Sequence, residues 1–246
     1  PGLPSDSADV VELGRLLFWD PVLSGDQDIA CGTCHHPDFA YADGIAVSLG
    51  AGAEGVGPSR SGTLDQRTPK NSMTVLNTAF NGLTFEGQIA IEEAPMFWDN
   101  DVFSLEDQAI EPVLSDVEMR GYGIAKDEIV DVVVARLAAI PEYETLFEQA
   151  FGDKQITEAR MLRAFAHFER SLVSLDSSFD RYMRGDDEAM SQAAKRGLRL
   201  FINSGCAGCH SGPMFSDFEL HDIGVPGADS EDRARGQRTA SLRMVT

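Results

Sequence analysis

Basic side chains are scarce: 20 Lys and Arg stand against 40 Asp and Glu, giving a formal charge of -20. A surface of that sign repels polyanions, which excludes nucleic acid and anionic membranes as partners and favours a basic or dipolar protein. No run of about 18 apolar residues exists, so no membrane span is expected. The opening PGLPSDSADV has no cationic or apolar leader and reads as a processed N-terminus. Cysteine is limited to four residues, and no Val/Ile-rich strand precedes any of them. That argues against a thioredoxin-like redox pair, whose motif usually opens a helix after a buried strand.

The four cysteines divide without remainder into two CxxCH units, Cys31-Cys34-His35 and Cys206-Cys209-His210. Two thiols at this spacing can add to the two vinyl groups of one porphyrin, and the following histidine can ligate its iron. Zinc could also be held by four cysteines or by two cysteines and two histidines, but it would not explain a histidine repeated at the same offset. The reading is therefore two covalent haem c groups, with His35 and His210 as iron ligands. Covalent attachment of this kind implies assembly outside the bacterial cytoplasm, in the periplasm.

Two cofactors about 175 residues apart suggest two domains, each built around its own haem. The fold class expected is mainly α, two cytochrome c-like domains over residues 1–176 and 177–246, with long irregular loops. Val10, Leu13, Leu16 and Leu17 recur at helical spacing before Pro21. Residues 126–139 carry a stripe at Ile129, Val132, Val133 and Leu137, and PEYETLFEQAF follows. A helix over 157–174 is expected to bury Met161, Leu162, Phe165, Phe168 and Leu172. DSSFDRYMRGDDE, residues 176–188, breaks the pattern and marks the expected domain junction. Met190, Ala194, Leu198 and Phe201 then trace a helix into the second haem motif. Residues 42–71 are rich in Gly, Ser and Pro without periodicity, a long ordered loop of the kind that is commonly functional.

Beyond the haem motifs, the blocks LGRLLFWDPVLS, CHHPDFAYADG, PKNSMTVLN, MFWDND, EPVLSDVEM, LDSSFDRYMRGDD and RTASLR occur in order over nearly the whole chain. In them the chain resembles the bacterial di-haem cytochrome c peroxidases and their relatives of the MauG type. The resemblance implies reduction of hydrogen peroxide at the first haem, with electrons from a small donor protein, a c-type cytochrome or cupredoxin, entering at the second. It also admits a homodimer. Glu118 in VEM matches the glutamate that moves a proton between the peroxide oxygens, and Gln108 matches a glutamine lining the same pocket. Trp98 matches a tryptophan between the haems that is associated with electron transfer. Taken alone, Glu118 would pass for a solvated carboxylate and Trp98 for plain core. A calcium ion between the domains is also implied, with Asn71, Thr239 and Ser241 at the matching positions.

Departures from the family pattern carry information too. Peroxidases that need reductive activation place a histidine in the loop before PKN, whereas this loop, LGAGAEGVGPSRSGTLDQRTPKN, has none. That resembles members whose first haem stays five-coordinate. FWDND replaces the usual FWDGR, and GLTFEGQIAIEEAP reads as an insertion. The resemblance further implies a stretch beyond Thr246 supplying the second haem's distal ligand, a methionine or, in MauG, a tyrosine. Met214 lies too close to His210 for that role, Met244 is a weak candidate, and His221 is open between ligation and hydrogen bonding. His36 and His167 read as structural. MauG-like oxidation of a partner protein's side chains is the alternative activity. A non-catalytic di-haem electron carrier is the rival class, and the missing loop histidine argues against it.

Overall fold

The structure, a computed structural model, describes residues 7–84 and 86–221. It is mainly helical, as the sequence implies, with a single two-stranded ribbon among the described residues, β1 (Pro95–Met96) against β2 (Val102–Phe103). Helix α1 (Ala8–Trp19) starts where the Ser7 hydroxyl accepts from the Val10 amide at 3.4 Å. It buries Val10, Leu13, Leu17 and Phe18 along one face. The short α2 (Cys31–Cys34) is the first haem motif. Next come α3 (Leu105–Leu114), α4 (Ile129–Ala138), α5 (Pro141–Phe151) and α6 (Glu158–Ser171).

The centre of the molecule is α1 lying along α6, with α3 and α5 alongside. Gly14 makes that approach possible: a Cβ there would overlap the Ala164 carbonyl. Leu13, Leu17, Val133, Leu137, Phe147, Met161 and Phe165 are fully or almost fully buried in one cluster, and the two haem cysteines Cys31 and Cys34 pack against it. Phe18 and Phe168, with ring centroids 5.1 Å apart, form a second patch reaching the haem motif through Cys31 and Tyr41. On α6, Met161, Phe165 and Phe168 are buried as expected, whereas Leu162 and Leu172 are only half-buried.

Residues 176–188 depart from the expected break, because α7 (Ser178–Met183) forms within them. A reciprocal cap explains it. The Ser177 hydroxyl accepts from the Asp180 amide at 3.1 Å while the Asp180 carboxylate accepts from the Ser177 amide at 2.8 Å. After it, α8 (Gln192–Asn203) leads into the second haem motif and buries none of its residues, leaving Leu200 and Ile202 exposed. No helix among the described residues is long and apolar enough to cross a membrane.

Candidate active site

One helical turn places Cys31 and Cys34 at i and i+3 on a common side. The turn is held by the Ala30 amide donating to the Thr33 hydroxyl at 3.0 Å and by the His35 amide donating to the Cys31 carbonyl at 2.9 Å. Gly32 between them lies under the Trp19 indole, where a Cβ would overlap the ring. Both thiols are free. Burial raises both, Cys34 to about 11, so they are neutral. The His35 ring is also held neutral, chiefly by burial, against an opposing hydrogen bond to Tyr41. Neutral imidazole is the form that ligates a metal.

His35 Nδ1 lies 3.1 Å from the Tyr41 carbonyl oxygen, and His210 Nδ1 lies 3.1 Å from that of Phe215. Both acceptor residues sit in the left-handed region, Tyr41 at φ 56° and Phe215 at φ 50°. In each unit the carbonyl can accept a hydrogen bond from Nδ1–H and so leave the Nε2 lone pair for iron, as is typical of ligating histidines. Two free thiols with an oriented imidazole, twice over, are the donor set a c-type haem needs, so the residues fit the cofactor.

Zinc is a poorer match. Among the described residues one group collects three potential metal ligands, Cys209, Asp217 and His221, and Cys31, Cys34 and His35 belong to no such group. Thioether formation at Cys209 would dissolve even that group. His221, watched as a ligand, has Nε2 at 2.8 Å from the Asp217 carboxylate. Met214 is half-buried beside the second motif. Met244, Thr239 and Ser241 lie outside the described residues.

Glu118 lies in a five-residue π turn, Asp116–Arg120, in which the Arg120 amide donates to the Ser115 carbonyl at 2.9 Å. Such turns often mark functional sites. Two glycines clamp it. A Cβ on Gly25 would overlap the Arg120 carbonyl, and one on Gly50 would overlap the Val117 carbonyl and lie 2.9 Å from Glu118 Cα. The Arg120 guanidinium ties the turn to the Leu114 carbonyl at 3.0 Å and to that of Ile124 at 2.6 Å. Behind Gly25, Arg136 donates to the carbonyls of Val22, Ser24 and Gly25.

Burial raises the Glu118 pKa, with Glu111 adding to the rise and a Ser115 hydrogen bond and Lys70 opposing it. Its charge is felt at Cys34. Glu118 would pass for a solvated carboxylate when taken alone, but it is half-buried and its charge acts on Cys34 of the first haem motif. The histidine-free loop lies against the same place, with Cys34 Sγ 3.7 Å from the Leu49 carbonyl and Gly50 on the π turn.

Trp98 is half-buried, and its indole N–H donates to the Asn71 backbone carbonyl at 3.2 Å. The neighbouring residues pair as well, Lys70 with Asp99. Trp98 and Asn71 are thus brought together. Gln108, on α3 and half-buried, makes no side-chain hydrogen bond to Glu118 or Trp98. Sequence reasoning missed Gly50, the π turn, and two buried charges near Cys34, Asp43 and Arg60. Only the FAYADG block pointed toward Asp43, and nothing singled out Arg60.

Two CxxCH units with free thiols and oriented imidazoles on a mainly helical scaffold, one of them beside a half-buried carboxyl, match the donor sets of a class, the di-haem c-type proteins. The model of the family described as "Di-haem cytochrome c peroxidase" matches residues 8–188, and the chain belongs to that family. It is 38% identical over 232 residues to the methylamine utilization protein MauG of Methylophilus methylotrophus, covering 93% of this chain and 59% of that one. It is 33% identical over 220 residues to the cytochrome c551 peroxidase of Nitrosomonas europaea, covering 89% and 57%. Among solved structures, a MauG-like protein associated with microbial copper homeostasis superposes with a TM-score of 0.66 at 26% identity, covering 92% of this chain and 60% of that one. The chain spans less than two thirds of the length of these relatives.

Proposed function

We propose that the chain provides the peroxide-reacting part of a di-haem peroxidase that reduces hydrogen peroxide to water. Electrons would come singly from a small periplasmic donor protein, a c-type cytochrome or cupredoxin, at the haem on His210. Haem iron supplies the redox chemistry and the coordination position at which peroxide reacts. The chain's own residues supply orientation and protons. His35 would offer Nε2 to the iron, with the Tyr41 carbonyl placed to accept from Nδ1–H. Glu118 takes the proton from incoming peroxide and returns it to the leaving oxygen, which requires a carboxyl whose pKa lies near working pH. Gln108 lines the pocket, and Trp98 links the two haems.

The observation that carries this reading is the placement of Glu118, half-buried, its pKa raised by desolvation, beside Cys34 and under a loop without histidine. Glu118→Gln keeps the shape and removes the titrating group. It should slow the reaction with peroxide by roughly 10²–10⁴-fold while the haem spectrum stays unchanged. Stopped-flow mixing at wild-type rate would return Glu118 to the solvated carboxylates.

The MauG relatives favour a second reading at the same site, peroxide-dependent oxidation of side chains on a partner protein. We further infer two domains, residues 1–176 around the peroxide-reacting haem and 177–246 around the electron-accepting one. A calcium ion between them would use Asn71, Thr239 and Ser241, oxygen donors suited to a hard cation. The Trp98 hydrogen bond would then tie that ion's loop to the tryptophan.

A further inference from the structure

Trp19 ends α1 and is 38% exposed, whereas Trp98 is half-buried. Its six-membered ring lies on Gly32, between the two cysteines of the first haem motif, where a Cβ would overlap Cε3 and Cζ3. His36 meets the indole edge-on with ring centroids 5.6 Å apart, and Phe18 does so at 5.8 Å. These contacts fix the ring against the motif. Its N–H donates to no acceptor among the described residues, so water can take that proton.

A lone exposed aromatic is ordinary on a protein surface. Contact with the haem peptide sets this one apart. From the Gly32 backbone an unbroken covalent path runs through Cys31 or Cys34 to a thioether-bonded porphyrin, so one van der Waals step separates an oxidisable, solvent-reached ring from the cofactor. A molecule stacked on the indole could give up an electron without entering the peroxide pocket. The chain's charge of -20 disfavours anionic donors, and a planar ring face suits an aromatic one. We propose that Trp19 is a surface oxidation site at which electron-rich aromatic molecules of the phenol class give single electrons to the first haem. The inference rests on the peroxidase reading. Hydrogen peroxide takes two electrons from the haem as its O–O bond breaks. In each of two rounds one electron passes from the indole to the oxidised haem, and the N–H proton passes through water to the oxygen being reduced. A phenol then returns an electron and a proton to the indole and leaves as a phenoxyl radical. One peroxide and two phenols thus give two waters and two phenoxyl radicals.

The test uses the haem-loaded, full-length protein with guaiacol as the phenol, comparing wild type, Trp19→Phe and Trp19→Tyr. Guaiacol oxidation is expressed in each relative to the rate at which peroxide alone changes the spectrum of the His35 haem. Trp19→Phe should lose most of this oxidation. Trp19→Tyr, of nearly the same shape but oxidisable, should recover much of it, whereas a packing role would treat the two alike. Mass spectrometry of wild-type peptides supplies a readout apart from turnover: peroxide without a reductant should leave Trp19 oxidised, and guaiacol should protect it. Guaiacol oxidation in Trp19→Phe equal to wild type, or equal losses in both variants, overturns the site while the peroxidase reading stands. A wild-type haem inert to peroxide removes both. If Trp19→Phe takes up no haem, the peptide measurement decides, and an unmodified Trp19 overturns the proposal.

Discussion

Replacing Gly50 by alanine tests whether the loop positions the carboxyl. The new methyl would overlap the Val117 carbonyl and lie 2.9 Å from Glu118 Cα, and both obstacles are backbone. Retreat of the π turn is blocked on its other side, where Gly25 already touches the Arg120 carbonyl and Arg136 holds the carbonyls behind it. The loop or the turn must therefore move by about 1 Å, a displacement that can slow a positioned reaction by about 10²-fold. Overpacking of this kind also destabilises by about 1–3 kcal/mol. Haem attachment should survive, because the α2 turn itself is held by the Thr33 and His35 hydrogen bonds, which the change leaves in place. Gly62→Ala in the same loop is the control, since its methyl meets first the flexible end of Gln66. Stopped-flow mixing with peroxide should show a slow Gly50→Ala and a near-normal Gly62→Ala. A Gly50→Ala variant reacting at wild-type rate, or equal losses in both, would refute the idea that this contact sets Glu118.

Two further outcomes are expected. Trp98→Phe removes the donor to the Asn71 carbonyl and the oxidisable indole, so oxidation of the haem on His210 after peroxide addition should be delayed while peroxide binding is kept; rapid-scan spectra at wild-type speed would return Trp98 to the core. Glu169 is 6% exposed, and desolvation, opposed by Arg170 and reinforced by Glu106, raises its pKa from 4.5 to about 8. Its neutral form suits the fold, so its contribution is fully present below pH 4.5 and lost as pH rises through about 8. Against Glu169→Gln, wild type should lose roughly 3 kcal/mol between pH 4.5 and 7, and a pH-independent difference in thermal denaturation of the reduced protein would refute this.

The helices were legible because their apolar stripes are long and periodic: α1, α4, α5 and α6 lie within a few residues of where Val10 to Leu17, Ile129 to Leu137, PEYETLFEQAF and Met161 to Phe168 put them. The haem motifs were legible because thioether chemistry fixes their spacing. Alpha-helical periodicity gives no sign of a π turn, so Glu118 could be recognised while the backbone that aims it could not. Gly50 and Val117 touch across a long sequence separation, and such a contact leaves no local trace. Arg60 sits among Gly, Ser and Pro, a composition that suggests solvent and says nothing of a buried cation. At residues 176–188 a polar composition hides the short capping pair, Ser177 and Asp180, that starts α7.

The left-handed carbonyls at Tyr41 and Phe215 redraw the boundary of the haem-binding cassette. A non-glycine residue at positive φ is uncommon, and for a bulky side chain it is conformationally unfavourable. Here it turns one peptide group toward the imidazole. The transplantable segment is therefore not the pentapeptide but the stretch from Cys31 to Tyr41, or from Cys206 to Phe215, which carries its own orienting acceptor. A protein designer grafting only CxxCH onto a foreign helix would inherit the covalent bonds and lose control of the imidazole tautomer. Drift at the acceptor position is constrained by backbone shape, so β-branched residues, the least tolerant of positive φ, are the ones such lineages should avoid there.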